Sequence, residues 1–291
     1  MNFSEKLRTL RKQFKFSQEQ LAEKISVSRQ AITKWETDGG LPDIENLIAI
    51  AALFSVSIDD LLSEEKLIHA VSDYAYESLT EYDISCLSHF DIHVPGALEV
   101  SLTLTNDEKL RVRLASNVLQ TLSQKYKVKI DEHRNHLDVD IRRVGQNSEA
   151  EGKEALFVHI FLPAQYCTEI ELAVVADILR LNGTNCPFEL DGKIHNVYLQ
   201  GVKGRVALNC SADMKIYADE LPVAIEVNQI NATSLLQIPL TATYFTKIKG
   251  RSNQIRFMVD GKPADSLSNA DADYCIELAG MNAELLIDQV S

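Results

Sequence analysis

Ser17-Gln18-Glu19-Gln20-Leu21-Ala22-Glu23-Lys24-Ile25-Ser26-Val27-Ser28-Arg29-Gln30-Ala31-Ile32-Thr33-Lys34-Trp35-Glu36 is the stretch on which the reading of the N-terminal region turns. Its first four residues have the Ser-x-x-Gln form of a capping box, in which two side chains satisfy each other's free backbone N–H groups. They open a helix whose inner face is Leu21, Ala22 and Ile25. Ser26-Val27-Ser28 then interrupts it, and Ser28 is placed to cap a further helix over 29–36. Ala31, Ile32 and Trp35 supply the inner face of that helix, which assigns Trp35 to the core.

Outward from this pair the helical pattern continues. Upstream, Leu7, Leu10 and Phe14 recur at helical spacing, with Lys6, Arg8, Arg11, Lys12 and Lys15 on the other faces. Downstream, Gly39-Gly40 and Pro42 end the unit. Asp43 then caps a fourth helix along Ile44, Leu47, Ile48, Ala51 and Leu53, and residues 57–62 start a short fifth.

Leu21-Ala22-Glu23-Lys24, Val27-Ser28-Arg29-Gln30-Ala31-Ile32-Thr33-Lys34-Trp35-Glu36, Leu41-Pro42-Asp43 and Val56-Ser57-Ile58-Asp59-Asp60-Leu61-Leu62 resemble the Cro/CI-type (XRE-family) helix-turn-helix regulators of low-GC Gram-positive bacteria. The match covers about residues 3–62 and implies a five-helix, lambda-repressor-like DNA-binding domain over 1–62. On the family's pattern the third helix enters the major groove by its N-terminal end. Arg29, Gln30, Thr33 and Lys34 then occupy the base-reading positions. There, Arg or Lys can meet guanine O6/N7, and Gln can meet adenine N6/N7. Gln18 and Ser28 fall where the family contacts phosphate, and Arg11 and Glu36 match a structural ion pair between helices 1 and 3. The alternative for Arg29, Gln30 and Lys34 is a merely solvated face.

Charge is distributed to suit that reading. The chain of 291 residues carries a net −13, yet residues 1–40 hold eight Lys and Arg against five Asp and Glu. Phosphate affinity is a local property of the docking face, so an acidic remainder does not exclude it.

Residues 63–80 hold a weak helical period and are read as a connector, either a spacer helix or a dimerisation segment. From 81 to 291 the pattern is β-rich. Val128-Lys129-Ile130-Asp131-Glu132-His133 and His136-Leu137-Asp138-Val139-Asp140-Ile141 flank a two-residue turn and predict a hairpin. His133 and His136 face each other there as a polar rim, with a metal pair as the alternative. Further on, an apolar-x-Leu triplet recurs every nine residues: Ile170-Glu171-Leu172, Leu179-Arg180-Leu181, Phe188-Glu189-Leu190, Val197-Tyr198-Leu199 and Val206-Ala207-Leu208. Short strands at a fixed interval predict a β-solenoid or solenoid-like sandwich over about 155–240, with two strands in about eighteen residues. Residues 156–163 would enter the stack, 234–239 would leave it, and strand pairs near 255–259 and 274–287 would cap it.

Leu162-Pro163 followed by Gly-punctuated strands resembles the adhesin-type repeat domain found in bacterial envelope-stress proteins, although Ala173-Val174-Val175-Ala176 replaces its usual Ser/Gly turn. That resemblance implies a scaffold or interaction role. The fold class expected is therefore multi-domain, α plus β.

The function expected is a sequence-specific transcriptional regulator, a homodimer on an operator of double-stranded DNA with two half-sites. The β domain would serve oligomerisation or the sensing of a small-molecule or protein effector. The alternative is a DNA-anchored or antitoxin-like module whose β domain binds another protein. No hydrolase, nucleotide-binding or zinc-protease motif occurs. Asp177, Glu189 and Asp191 read as outward strand positions rather than as catalytic carboxylates. No enzyme activity, metal or cofactor is expected. The five cysteines show no Cys-x-x-Cys pair and are expected reduced. With no apolar run near the roughly 18–20 residues of a membrane span and no secretory signal, a cytoplasmic location without a membrane span is expected.

Overall fold

The computed structural model describes residues 3–13, 16–37, 39–54, 74–144 and 149–290. It divides into two compact units, Met1–Tyr74 and Ala75–Ser291.

The first unit is helical: α1 (Phe3–Gln13), α2 (Gln18–Lys24), α3 (Arg29–Glu36) and α4 (Ile44–Phe54). Leu7, Leu10, Leu21, Ile32, Ile50 and Phe54 are completely buried in one cluster, and Trp35 packs with them. Asp43 caps α4 by accepting from the Asn46 N–H at 2.9 Å. Lys6 is buried instead of lying on an outer face. It is four residues before Leu10 and so shares that residue's inward seam. The fifth helix expected over 57–62 lies outside the described residues, as does most of the connector. The chain resumes as strand β1 (Tyr76–Asp83), so the last residues of the expected connector are extended rather than helical.

The second unit is a two-faced stack of parallel coils. Strand β7 (Cys167–Asn182) is followed by the pairs β8 (Phe188–Lys193) and β9 (Asn196–Gln200), β10 (Val206–Cys210) and β11 (Lys215–Ala218), and β12 (Ala224–Ile230) and β13 (Thr233–Pro239). On the first face Ile170, Phe188, Val206 and Ile225 are successive register partners. On the second face the ladder runs Leu179, Val197, Ile216, Leu236. Nearly all of these side chains are fully buried. The nine-residue interval is thus one strand plus one corner, and each apolar row stacks on itself with about 1.5–3 kcal/mol per buried side chain.

The stack extends further than the triplets indicate. β2 (Ser88–Thr105) is a whole coil, pairing in parallel with β7 on both faces. Beyond it lie β5 (His136–Arg143) on one face and β6 (Phe157–Pro163) on the other. Residues 157–163 thus lead through 164–166 into β7, as expected, but pair against the far side of β2 rather than against β7 itself. At the other end, β17 (Tyr274–Met281) and β18 (Glu284–Val290) form a full coil wedged between β12/β13 and the earlier-made β14 (Tyr244–Ile248) and β15 (Gln254–Val259). The outermost coil is consequently 244–259, not 274–290.

Local chemistry explains the corners. Ala173-Val174-Val175-Ala176 makes no turn, and β7 runs through it without a break. The next coil accommodates this with Gly192, whose φ is +151° and whose added Cβ would lie 1.8 Å from the Val174 carbonyl oxygen. Asn231 and Asn282, both left-handed, stack at one corner through a 3.0 Å amide hydrogen bond. The expected hairpin is present: β4 (Tyr126–His133) pairs antiparallel with β5 and sets His133 opposite His136, with Arg134 in the turn at φ +58°. The ring of His136 packs on His89, 4.8 Å between centroids. Among the described residues, no helix is long and apolar enough to cross a membrane. Nor is any group of three His, Cys, Asp or Glu residues disposed to hold a metal ion.

Candidate nucleic-acid interface

The turn between α2 and α3 is built by two serine caps. The Ser17 hydroxyl accepts from the Gln20 N–H at 3.1 Å while the Gln20 side chain accepts from the Ser17 N–H at 2.8 Å, completing the capping box. Ser26 at φ +58° turns the chain, and the Ser28 hydroxyl accepts from the Ala31 N–H at 3.2 Å to start α3. With Ile32 and Trp35 buried against α1 and α2, the opposite side of α3 is left to solvent.

On that side Arg29, Gln30, Thr33 and Lys34 are all exposed. Ser28, Arg29, Gln30 and Thr33 line one open depression of about 670 Å³. The Lys34 stem packs close to Gly39. A Cβ added at Gly39 would come within 2.8 Å of Lys34 Cγ. The Gly39 N–H in turn donates to the Lys34 carbonyl at 2.8 Å. The glycine pair that reads in sequence as a stop signal is therefore also a seat for the exposed Lys34 side chain.

Behind the face lies a polar clamp. Arg11 donates to both carboxylate oxygens of Glu36, at 2.5 and 3.0 Å, and also to the Phe16 carbonyl at 2.9 Å. Both side chains are largely buried, and the hydrogen bond to Glu36 raises the Arg11 pKa above its ordinary value. Gln18 extends the clamp: its amide donates to Glu36 at 2.8 Å, and its carbonyl accepts from the Thr33 hydroxyl at 3.2 Å. Arg11, Glu36, Gln18 and Thr33 are thus one connected chain joining α1, α2 and α3. The role of Gln18 as a strut, and the tie between Gln18 and Thr33, escaped the sequence reading. Only the spacing of Gln18 one residue past the Ser17 cap hints at it.

Comparison with known proteins follows this geometry. A helix-turn-helix family model matches residues 7–61. The transcriptional activator BcrR of Enterococcus faecalis is 54% identical over 68 residues, which cover 23% of this chain and 33% of BcrR. The chain thus spans about a third of that relative. The uncharacterized transcriptional regulator YqaE of Bacillus subtilis is 37% identical over 79 residues, covering 27% of this chain and 68% of YqaE. A solved structure from Clostridium sporogenes, named for a candidate cell adhesion protein, aligns over 74% of this chain and 99% of its own, at 12% identity and a TM-score of 0.39.

Proposed function

The chain belongs to the helix-turn-helix family of transcriptional regulators, and from that membership we propose that it binds an operator in a sequence-specific manner through α3. The observation that carries this reading is the pairing of an exposed Arg29-Gln30-Thr33-Lys34 face with a rigid polar clamp directly behind it. Such a helix can enter the major groove without reorganising. Arg29 and Lys34 present donors suited to guanine, and Gln30 a donor and acceptor suited to adenine. Ser28 and Gln18 flank that face and contact phosphate. Two copies on adjacent half-sites supply the affinity that one such module lacks, and the β unit supplies oligomerisation or effector sensing.

The test is selection of bound sequences from random duplex DNA, followed by titration of the selected operator with Gln30→Ala and Lys34→Ala. Each base contact contributes about 1–3 kcal/mol, so each variant should bind about 5- to 150-fold more weakly at an unchanged melting temperature. Undiminished operator affinity in both variants would remove α3 from base readout.

A further inference from the structure

Where coil β7 meets coil β8, two thiols come together. Cys167 opens β7, Cys186 sits in the turn before Phe188, and their Sγ atoms are 3.1 Å apart. Register accounts for this: Ile170 lies opposite Phe188, so both cysteines stand just ahead of the same rung on neighbouring coils. The inter-strand spacing of about 4.8 Å falls inside the Cα separation of about 4.4–6.8 Å that a disulfide accepts. The Ile170 N–H donates to the Pro187 carbonyl at 3.0 Å, fixing the segment that carries Cys186 against the start of β7. The remaining cysteines face other partners. Cys86 directs its thiol to Glu132 at 3.7 Å and Cys210 to the Ile194 carbonyl at 3.6 Å.

We propose that Cys167 and Cys186 form a redox-modification site, a dithiol that a peroxide converts into a disulfide between neighbouring coils. Cys186 gives up its proton more readily than an ordinary cysteine because Cys167 hydrogen-bonds to it, whereas the Cys167 thiol is held protonated. The Cys186 thiolate attacks one peroxide oxygen. The O–O bond breaks, the sulfur is oxidised to a sulfenic acid, and the other oxygen leaves as hydroxide or alkoxide. The Cys167 sulfur then attacks Cys186 as its S–H bond breaks, forming the S–S bond while the sulfenic S–O bond breaks and the OH leaves with the Cys167 proton as water. The two electrons removed from the sulfur pair reduce the peroxide. Cys186 is buried and Cys167 half-buried, so a small peroxide reaches the pair from the Cys167 side. Nothing in this chemistry depends on DNA binding.

The test uses the full chain, fully reduced, freed of reductant and exposed to hydrogen peroxide without denaturant. Free thiols should fall from five to three, the intact mass should drop by two hydrogens, and peptide mapping should join residues 167 and 186. Thiol reductant should restore all five. Cys275→Ser should still lose two thiols, while Cys186→Ser should keep Cys167 reduced and form no internal cross-link. The proposal is overturned if the folded wild-type chain keeps five thiols. It is equally overturned if the cross-link involves Cys86, Cys210 or Cys275, or if Cys167 and Cys186 pass separately to sulfinic acids.

Discussion

Glu36 accepts three hydrogen bonds from two side chains, and its position decides how firmly α3 is held. It accepts from Arg11 twice and from Gln18 once, and its own side chain is almost wholly removed from solvent. A buried pair of this kind adds little net stability as built, but removing one partner leaves an uncompensated charge. Glu36→Gln keeps the shape and two hydrogen-bonding atoms yet strands the Arg11 guanidinium. We expect a loss of about 2–3 kcal/mol in unfolding free energy, with operator affinity falling in parallel. Chemical denaturation and DNA titration on the same sample check this. The contrast with Gln30→Ala is diagnostic, because that residue is exposed and its loss should spare stability.

At the scale of elements, the coil faces carry rows of outward side chains whose spacing the register dictates. Asp138, Asp91, Glu171 and Glu189 are successive partners on the first face, as are Glu226 and Glu277 further along. Carboxylates about 4.8 Å apart repel, and the fold answers with cations from neighbouring positions. Arg205 grips Glu226 at 2.6 Å and Lys249 meets Glu277 at 2.8 Å. On the second face His159 bonds Ser101 at 2.7 Å, and burial, aided by Arg113, holds its pKa down to about 4. An unfolded histidine titrates near 6.5, so the unfolded chain binds the extra proton first as pH falls. The contribution of His159 is therefore complete above about 6.5 and is lost progressively down to about 4. His159→Gln should flatten that part of the stability profile, measured by melting between pH 7 and 4. An unchanged slope would show that the proton is taken up elsewhere.

What could be read in advance follows from the same rows. The caps at Ser17 and Ser28 and the triplets from Ile170 onward are local patterns, and the helices and coils they predict are present. The coil at 88–105 carries the same pattern in Phe90-Asp91-Ile92 and Val100-Ser101-Leu102, but it stands apart from the run that begins at Ile170, and its place beside β7 is set by pairing across more than sixty residues. Parallel neighbours leave no mark of their order in sequence spacing. Gln18 was legible as a polar residue at a helix start, but its engagement with Glu36 and Thr33 depends on how three helices cross.

For the whole molecule, charge separates the two units. A locally basic helical segment is carried by a chain of net −13, and on the proposed reading that imbalance would steer DNA toward the helical unit. If the β unit pairs two copies, residues 1–74 alone should bind the selected operator at least about tenfold more weakly than the full chain, because tethering raises effective concentration. Fluorescence anisotropy of both proteins at matched salt measures this, and equal affinities would deny the β unit a part in pairing. The wedged coil β17/β18 has a temporal consequence. During synthesis, 244–259 emerges before the coil it must lean on, and residues through 290 follow about thirty residues later. The β12/β13 edge is complete by 239 and stays open over the roughly fifty residues to 290, which at about 5–20 residues per second is on the order of 3–10 s on a nascent chain. The helical unit emerges well before then, so the ribosome holds it ahead of an incomplete stack.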